Sequence, residues 1–237
     1  MPDRTTPRVT TPHLTTPRVT TPRVTTPRRA TLHLTVHRAR HGTGTVKVVR
    51  PARPVERAEL LDDTWYLNAY VDQDAAVLMA GLWTLAASSP RSLIHLPLRG
   101  APAPRAGSRR LDLVLLHHSL QLAPSRWKEL RGRLGPGRPQ TVDVLLPEPG
   151  EVDHAAMHRA DNRDRFHQSV HAETLFMTGS ATVLRQGAEV FHEVARQGPG
   201  HTDTRTGYRH AHYCRSVDCD ARFRDIHVEY LPEGDPR

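Results

Sequence analysis

The segment TLFMTGSATVLRQGAEVFHEVARQ, residues 174–197, gives the clearest structural prediction in this chain. Its first part, Thr174–Thr178, is an apolar run of strand length, and Gly179-Ser180 supplies a turn and a helix N-cap. We therefore predict a helix over Ala181–Gln197, ended by Gly198-Pro199-Gly200. Its apolar residues fall on one face, which is typical of a helix packed on a sheet: Val183, Leu184, Val190, Phe191, Val194 and Ala195.

Two further strands are predicted after this helix, near Tyr208–Cys214 and over Phe223–Leu231. In the second of them, apolar Ile226 and Val228 alternate with polar residues such as His227. A β-α-β-β unit of this kind buries its helix against one face of an antiparallel sheet.

The chain upstream of this unit contains two predicted helices among short apolar runs. Asp72 is placed to cap a helix from Gln73 to about Ala87, and this helix is apolar nearly all round, which predicts a place in the core. Pro124 precedes a short helix over Ser125–Leu134. The apolar runs predict strands at Thr45–Val49, Trp65–Val71, Ser92–Leu98, Leu111–Leu116 and Thr141–Leu146. The fold class expected is α+β, a mixed, mainly antiparallel sheet with helices packed on it.

The N-terminal region differs in composition from the rest of the chain. A five-residue unit of the type Thr-Thr-Pro-Arg-Val recurs five times between Thr5 and Arg29. Proline in each unit removes a backbone donor, and one apolar residue per unit cannot form a buried face. We therefore expect residues 1–44 to form a disordered, partly polyproline-II arm, and residues 45–237 to form a single domain. A tandem duplication, or a start codon assigned too far upstream, also accounts for the repeat.

The positive charge is concentrated in the same region. Residues 1–50 hold ten of the 33 Lys and Arg residues and one of the 25 Asp and Glu residues, so the remaining chain has a net charge of −1. Nucleic-acid binding is thus expected to be weak, non-specific and confined to the arm. Only two of the 33 cationic residues are lysine, a bias typical of a high-GC bacterial genome. Counts of arginine and histidine are therefore poor evidence of function by themselves.

Several protein classes are disfavoured by composition. The two cysteines do not suffice for a disulfide framework, and no apolar run resembles a signal peptide. The longest apolar stretch, Ala75–Ala87, has 13 residues and falls short of the roughly 20 that span a bilayer. We expect a soluble, cytoplasmic protein without a membrane partner.

The strongest metal-site candidate lies near the C-terminus. On a strand, His210, His212 and Cys214 project to the same side, and Cys219 and His227 are close in sequence. Imidazole and thiolate groups at such spacing are able to hold zinc in a tetrahedral shell. However, Cys-x4-Cys is not a common zinc-knuckle spacing, so these five residues are a metal-site hypothesis. No cofactor is expected apart from zinc at this site.

Two weaker patterns suggest metal-dependent catalysis. His171-Ala172-Glu173, followed by two cysteines, contains part of the signature of zinc-dependent nucleobase deaminases, but the proline and the Cys-x2-Cys spacing are missing. On a helix, His154, His158 and Asp161 would share a face and bind a divalent metal, yet Ala155 stands where the zincin pattern has its catalytic Glu. A solvated helix or loop explains that second segment more simply.

A third pattern, His117-His118-Ser119, follows an apolar strand and raises the idea of a Ser/His dyad, although no G-x-S-x-G elbow is present. No phosphate-binding glycine loop occurs either. With no catalytic residue assigned, we expect a soluble bacterial protein that binds or regulates a macromolecular partner, such as a protein or another copy of itself. A zinc-dependent hydrolase or deaminase is the alternative, and a weak nucleic-acid binder is the second alternative.

Overall fold

The computed structural model describes residues 28–42, 44–63, 67–100, 108–148, 150, 153, 159, 161–200, 214–217 and 225–231. The strands in this part of the chain are β1 (Arg29–His41), β2 (Gly44–Pro51), β3 (Ala58–Asp62), β4 (Leu67–Val71), β5 (Ser92–Leu96), β6 (Arg109–Arg110), β7 (Asp112–His117), β8 (Arg138–Leu145), β9 (His167–His171), β10 (Thr174–Gly179), β11 (Cys214–Val217) and β12 (Ile226–Tyr230). The helices are α1 (Gln73–Ser88), α2 (Trp127–Gly132) and α3 (Ala181–Gln197), with short 3₁₀ turns at His118–Leu120, Pro124–Arg126 and Gly198–Gly200.

The strands form two sheets. The main sheet has seven strands in the order β8-β1-β2-β5-β7-β10-β9, and the minor sheet has five in the order β11-β12-β4-β3-β6. Most neighbouring strands are antiparallel, whereas β2 with β5, β7 with β10 and β4 with β12 are parallel. The chain passes directly from β6 of the minor sheet into β7 of the main sheet through Leu111, whose amide donates to the Leu60 carbonyl at 2.9 Å.

The two long helices begin at the N-caps that the sequence predicts. The Asp72 side chain accepts a hydrogen bond from the Ala75 amide at 2.8 Å, and the Ser180 hydroxyl accepts one from the Val183 amide at 3.3 Å. Each cap satisfies an amide that has no partner within its own helix. None of the helices in the described residues is long and apolar enough to cross a membrane.

Helices α1 and α3 pack against each other and share one large core with both sheets. The Trp83 ring of α1 is fully buried and makes an edge contact with Phe166 at 5.6 Å between centroids. It also lies 5.9 Å from the Phe191 ring of α3. The close approach of the helices depends on Gly187, where an added Cβ would lie 2.3 Å from the Trp83 ring.

The opposite face of the main sheet carries a smaller apolar cluster under α2. Trp127 and Leu130 of this helix are buried against residues such as Val48, Leu93 and Phe176. The Trp127 ring meets the Phe176 ring edge-on, with centroids 6.2 Å apart. Among the described residues, the seven-stranded sheet therefore has two long helices on one face and a short helix on the other.

The α+β fold class, with mainly antiparallel pairing, is confirmed. The prediction that α1 is a core helix is also confirmed, since residues along it such as Ala76, Leu82 and Ala86 are fully buried. The structure contains a second sheet that the sequence does not predict. As a result, the β-α-β-β unit is divided between sheets: β10 lies in the main sheet and β12 in the minor one. The predicted strand Tyr208–Cys214 lies outside the described residues except for Cys214, where β11 begins.

The predicted arm extends too far into the chain. Residues 29–41 form β1, and β2 begins at Gly44, so the boundary at residue 44 is wrong, whereas residues 1–27 lie outside the described residues. The physical reason is that Ala30, Leu32 and Leu34 alternate with polar residues and are buried in the main core. β1 pairs with β2 on one side and with β8 on the other, which supplies the core surface that the repeat lacks.

Candidate functional site

The β1–β2 hairpin carries a marked imbalance of charge within the folded part of the chain. Residues 28–51 contain six Lys or Arg residues and no Asp or Glu. Because β1 and β2 are two inner strands of the main sheet, this positive charge belongs to the folded domain and not only to the repeat segment. This excess of positive charge is visible in the sequence, but the boundary predicted at residue 44 assigns most of these basic residues to the arm.

Three neighbouring strands place basic side chains on one face. Arg38 of β1 lies directly opposite Lys47 of β2, and Arg138 of β8 pairs with Val36, two residues before Arg38 on the same face. All three basic residues are exposed, and within the described part of the chain none of them forms an ion pair. We call Arg38, Lys47 and Arg138 the cationic face.

A cleft adjoins the cationic face where β1, β8 and the preceding loop meet. It has a volume of about 560 Å³, and it is lined by Val36, Arg38, Gly135, Pro136, Arg138, Pro139 and Gln140. The lining holds no carboxylate, so two guanidinium groups dominate its charge. No His, Cys, Asp or Glu is among these lining residues, which therefore offer no general acid or base.

A second group of charges lies at the other face of the main sheet, where β2, β5 and β7 meet α2. Its members are Arg50, His95, Arg99, Asp112 and Arg131, which we call the arginine cluster. The Asp112 Oδ1 atom accepts hydrogen bonds from the amides of Leu98 at 3.0 Å and Arg99 at 3.2 Å. The Oδ2 atom lies 3.1 Å from Arg99 Nε, 3.7 Å from His95 Nε2 and 3.9 Å from Arg131 Nη1.

Burial and neighbouring charges shift the pKa values in the arginine cluster. Burial lowers the pKa of His95, the Asp112 carboxylate opposes this shift, and Arg50 adds to it, so the neutral form of His95 is favoured. Burial alone raises the pKa of Asp112, but the contacts with His95 and with Arg99 outweigh it and the pKa falls below its usual value. The pKa of Arg50 is lowered by burial and by the charge of Arg131.

The predicted His/Cys zinc site lies largely outside the described residues. His210, His212 and Cys219 belong to segments that are not described, while Cys214 begins β11 and His227 lies on β12. Cys214 pairs with Glu229, two residues along β12 from His227. Within the described residues no group of three or more His, Cys, Asp or Glu side chains is placed to hold a metal ion. The zinc site stays a prediction.

His227 itself takes part in a hydrogen-bond network on the minor sheet. Its Nδ1 atom lies 3.3 Å from the Asn68 Oδ1 atom, and the Asn68 amide donates to Asp63. Ser108 also donates to Asp63. Because Asn68 is buried, this network satisfies polar groups that would otherwise lie unpaired in the protein.

The remaining catalytic patterns fall in turns. The His117 Nδ1 atom lies 2.7 Å from the Ser119 hydroxyl and also accepts the Ser119 amide at 3.2 Å, an arrangement that caps the 3₁₀ turn at His118–Leu120. Ala172 and Glu173 adopt positive φ values of 48° and 57° in the turn between β9 and β10, where a deaminase signature would require a helix.

His154 and His158 lie outside the described residues, whereas Asp161 is exposed in a turn. The end of the same segment forms β9, which begins at His167, in place of the helix or loop expected there. β9 pairs with β10 and closes one edge of the main sheet. No family model, no curated protein and no solved structure matches this chain.

Proposed function

We propose that this chain is a non-catalytic binding protein whose cationic face binds the phosphate backbone of duplex nucleic acid. The direct opposition of Arg38 and Lys47 carries the proposal. Like charges directly opposite each other on antiparallel strands destabilise the pair, and no described carboxylate relieves this one. A polyanion bound across the two strands removes the repulsion and gains two charge-assisted contacts.

The layout of the charges supports an extended anionic partner. Side chains of paired residues lie about 4.5–5.5 Å apart across the strands, and Arg138 extends the row to the neighbouring strand β8. The cleft of about 560 Å³ between Arg38 and Arg138 provides space for a phosphate group between them. Contacts of this kind position a backbone and carry no base information, so we expect binding that does not depend on nucleotide sequence.

The composition of the hairpin favours a duplex over other anionic partners. Residues 28–51 contain no Phe, Trp or Tyr, whereas single strands are bound by stacking their bases on aromatic side chains. Insertion into an anionic membrane surface requires exposed apolar side chains, and Leu145 is the one large exposed hydrophobic residue of the described chain. The strands of a β-sheet are also among the elements that proteins place against a duplex.

The test measures binding of a labelled DNA duplex to the full-length chain by fluorescence anisotropy at low salt. The double variant Arg38→Gln/Lys47→Gln is expected to lower the affinity by roughly tenfold or more, because two phosphate charges are no longer neutralised. The matched control is Arg159→Gln/Arg163→Gln, which removes two exposed cations from the segment that precedes β9 in sequence, and β9 forms the opposite edge of the main sheet. The proposal is wrong if both double variants bind as the wild type does, or if both weaken the affinity equally.

The repeat segment is the competing location for binding. Replacing Arg8, Arg18 and Arg23 with Gln removes cations from the repeat and leaves β1 untouched. If this variant has no measurable affinity while Arg38→Gln/Lys47→Gln binds as the wild type does, binding belongs to the arm alone. The enzyme alternative has a separate test: stoichiometric zinc in the purified protein, or conversion of the duplex during incubation, contradicts a non-catalytic role.

A further inference from the structure

We propose that the arginine cluster is a second binding site, which takes a small tetrahedral oxyanion such as inorganic phosphate or a phosphomonoester between Arg50 and Arg131. This site is separate from the cationic face. Arg50 and Lys47 are three residues apart on β2, so their side chains leave opposite faces of the main sheet. The inference is thus independent of the function proposed above.

The charges of the arginine cluster do not balance. Three guanidinium groups face the carboxylates of Asp112 and Glu173, and Glu173 is bound to Arg99. One oxygen of Asp112 is occupied by two backbone amides and the other by Arg99 at 3.1 Å. Arg131, at 3.9 Å from Asp112, is held only loosely, and Arg50 forms no ion pair within the described residues. An excess of one positive charge therefore stays at Arg50 and Arg131.

The Arg50 part of this excess charge is placed where water stabilises it poorly. The Arg50 Nε atom is shielded from solvent and has no hydrogen-bond partner among the described residues. Burial lowers the pKa of Arg50, and repulsion from the Arg131 guanidinium lowers it further, although the Asp112 carboxylate acts in the opposite direction. A cation that is partly buried beside another cation is stabilised by an added anion.

The buried His95 ring adds polar atoms to the cluster, with Nε2 3.7 Å from Asp112 Oδ2. This residue is 2% exposed, its ring lies 4.8 Å from the Trp127 ring between centroids, and neither nitrogen makes a hydrogen bond to a described residue. The Arg131 side chain is 35% exposed and the Arg99 side chain 32% exposed, so the cluster is open to solvent beside α2. A small anion can therefore reach the guanidinium groups.

The shape and charge of the ligand follow from the donors. Guanidinium groups bind tetrahedral oxyanions through pairs of N–H donors in a fixed planar fork. Phosphate and phosphomonoesters carry more than one negative charge at neutral pH and have oxygens for two arginines at once. Sulfate shares this shape and charge, so we expect phosphate and sulfate to bind more tightly than acetate or chloride at the same ionic strength.

The experiment is isothermal titration of the full-length protein with inorganic phosphate, with sulfate, acetate and chloride as comparison anions. Saturable binding of phosphate is expected for the wild type, and at least tenfold weaker binding for both Arg50→Gln and Arg131→Gln. Arg131→Gln serves where Arg50→Gln fails to fold, because the Arg131 side chain is 35% exposed. The Lys47→Gln variant, altered on the opposite face, is expected to bind phosphate as the wild type does.

Three results overturn the inference. These are the absence of saturable phosphate binding to the wild type, equal binding of all four anions, and phosphate binding that survives both arginine substitutions. Weakened duplex binding in Lys47→Gln with phosphate binding retained shows that the two sites are independent. The reverse pattern, duplex binding unaffected and phosphate binding abolished, assigns the phosphate to the cationic face and contradicts the arginine cluster as its site.

Discussion

Arg38 on β1 lies directly opposite Lys47 on β2, and both side chains are exposed at the hairpin end of the seven-stranded sheet. This pairing brings together two positive charges that electrostatics alone would keep apart. It is the relationship on which the proposed nucleic-acid contact depends.

Reversing one of these charges should stabilise the fold while weakening binding. Lys47→Glu turns a like-charge pair into an opposite-charge pair, and we expect the free energy of unfolding to rise by about 0.2–1 kcal/mol. Lys47→Gln, which removes the repulsion without adding an attraction, should give a smaller gain. Urea unfolding of the three proteins measures the differences. A lower stability of Lys47→Glu would mean that a favourable contact of Lys47 holds the hairpin.

Asp112 is expected to be the most sensitive charged residue of the domain. Asp112→Asn removes the buried carboxylate that Arg99 and Arg131 contact, which should lower the free energy of unfolding by about 3–5 kcal/mol. Glu173→Gln is the control, because its side chain is 58% exposed and its ion pair with Arg99 is worth about 1 kcal/mol or less. Equal effects of the two substitutions in chemical denaturation would show that burial does not set the strength of these contacts.

Acid should destabilise the protein in two stages. Burial lowers the pKa values of both His95 and His192 in the folded protein. Below a pH of about 6.5 the unfolded chain therefore binds protons that the folded chain does not bind, and the free energy of unfolding decreases as the pH is lowered. The ionised Asp112 carboxylate also stabilises the fold, and this contribution is fully present above the ordinary pKa of 3.8. It is lost as the pH falls through the lowered pKa that Asp112 has in the folded protein.

The pH dependence can be assigned by substitution. His95→Gln should flatten the decline in the free energy of unfolding between about pH 6.5 and 5, whatever its effect on stability at neutral pH. His118→Gln is the control, since this side chain is exposed. Urea unfolding across this pH range measures both slopes. A slope in His95→Gln equal to that of the wild type means that His95 is protonated as readily in the folded protein as in the unfolded chain.

The contact between α1 and α3 should tolerate no side chain at Gly187. Gly187→Ala places a Cβ 2.3 Å from the Trp83 ring, and the forced movement should cost about 1–3 kcal/mol despite the better helix propensity of alanine. Gly132→Ala, at the end of α2, meets no atom within 4 Å and should be neutral or raise stability by about 0.4–1 kcal/mol. Thermal unfolding distinguishes the two, and a neutral Gly187→Ala would mean that the helices can separate at no cost.

The elements that the sequence predicts correctly are those that depend on neighbouring residues. Helix α3 follows from its Ser180 cap and its apolar spacing, both visible within one segment of the sequence. β1 cannot be recognised in the same way because its partners β2 and β8 are what make it a strand, and β8 lies about a hundred residues further along the chain. The Thr/Pro/Arg repeat directly before β1 also hides the short alternation of Ala30, Leu32 and Leu34.

The charged sites depend even more on long-range pairing. The opposition of Arg38 and Lys47 requires the register of the hairpin, and the arginine cluster joins residues from separate elements. One signal is present in the sequence. Asp112 stands within the apolar run Leu111–Leu116, and a carboxylate at the start of a buried strand requires cationic or amide partners. Which arginines supply them follows only from the fold.

The salt dependence of duplex binding tests the central claim most directly. For the full-length protein, the logarithm of the association constant should fall linearly with the logarithm of the salt concentration. Replacing Arg38, Lys47 and Arg138 together with Gln should make that slope less negative by about 2.7, which is about 0.9 for each phosphate that is no longer neutralised. A slope identical to that of the wild type would show that none of the three residues binds phosphate, and it would contradict the cationic face as the binding surface.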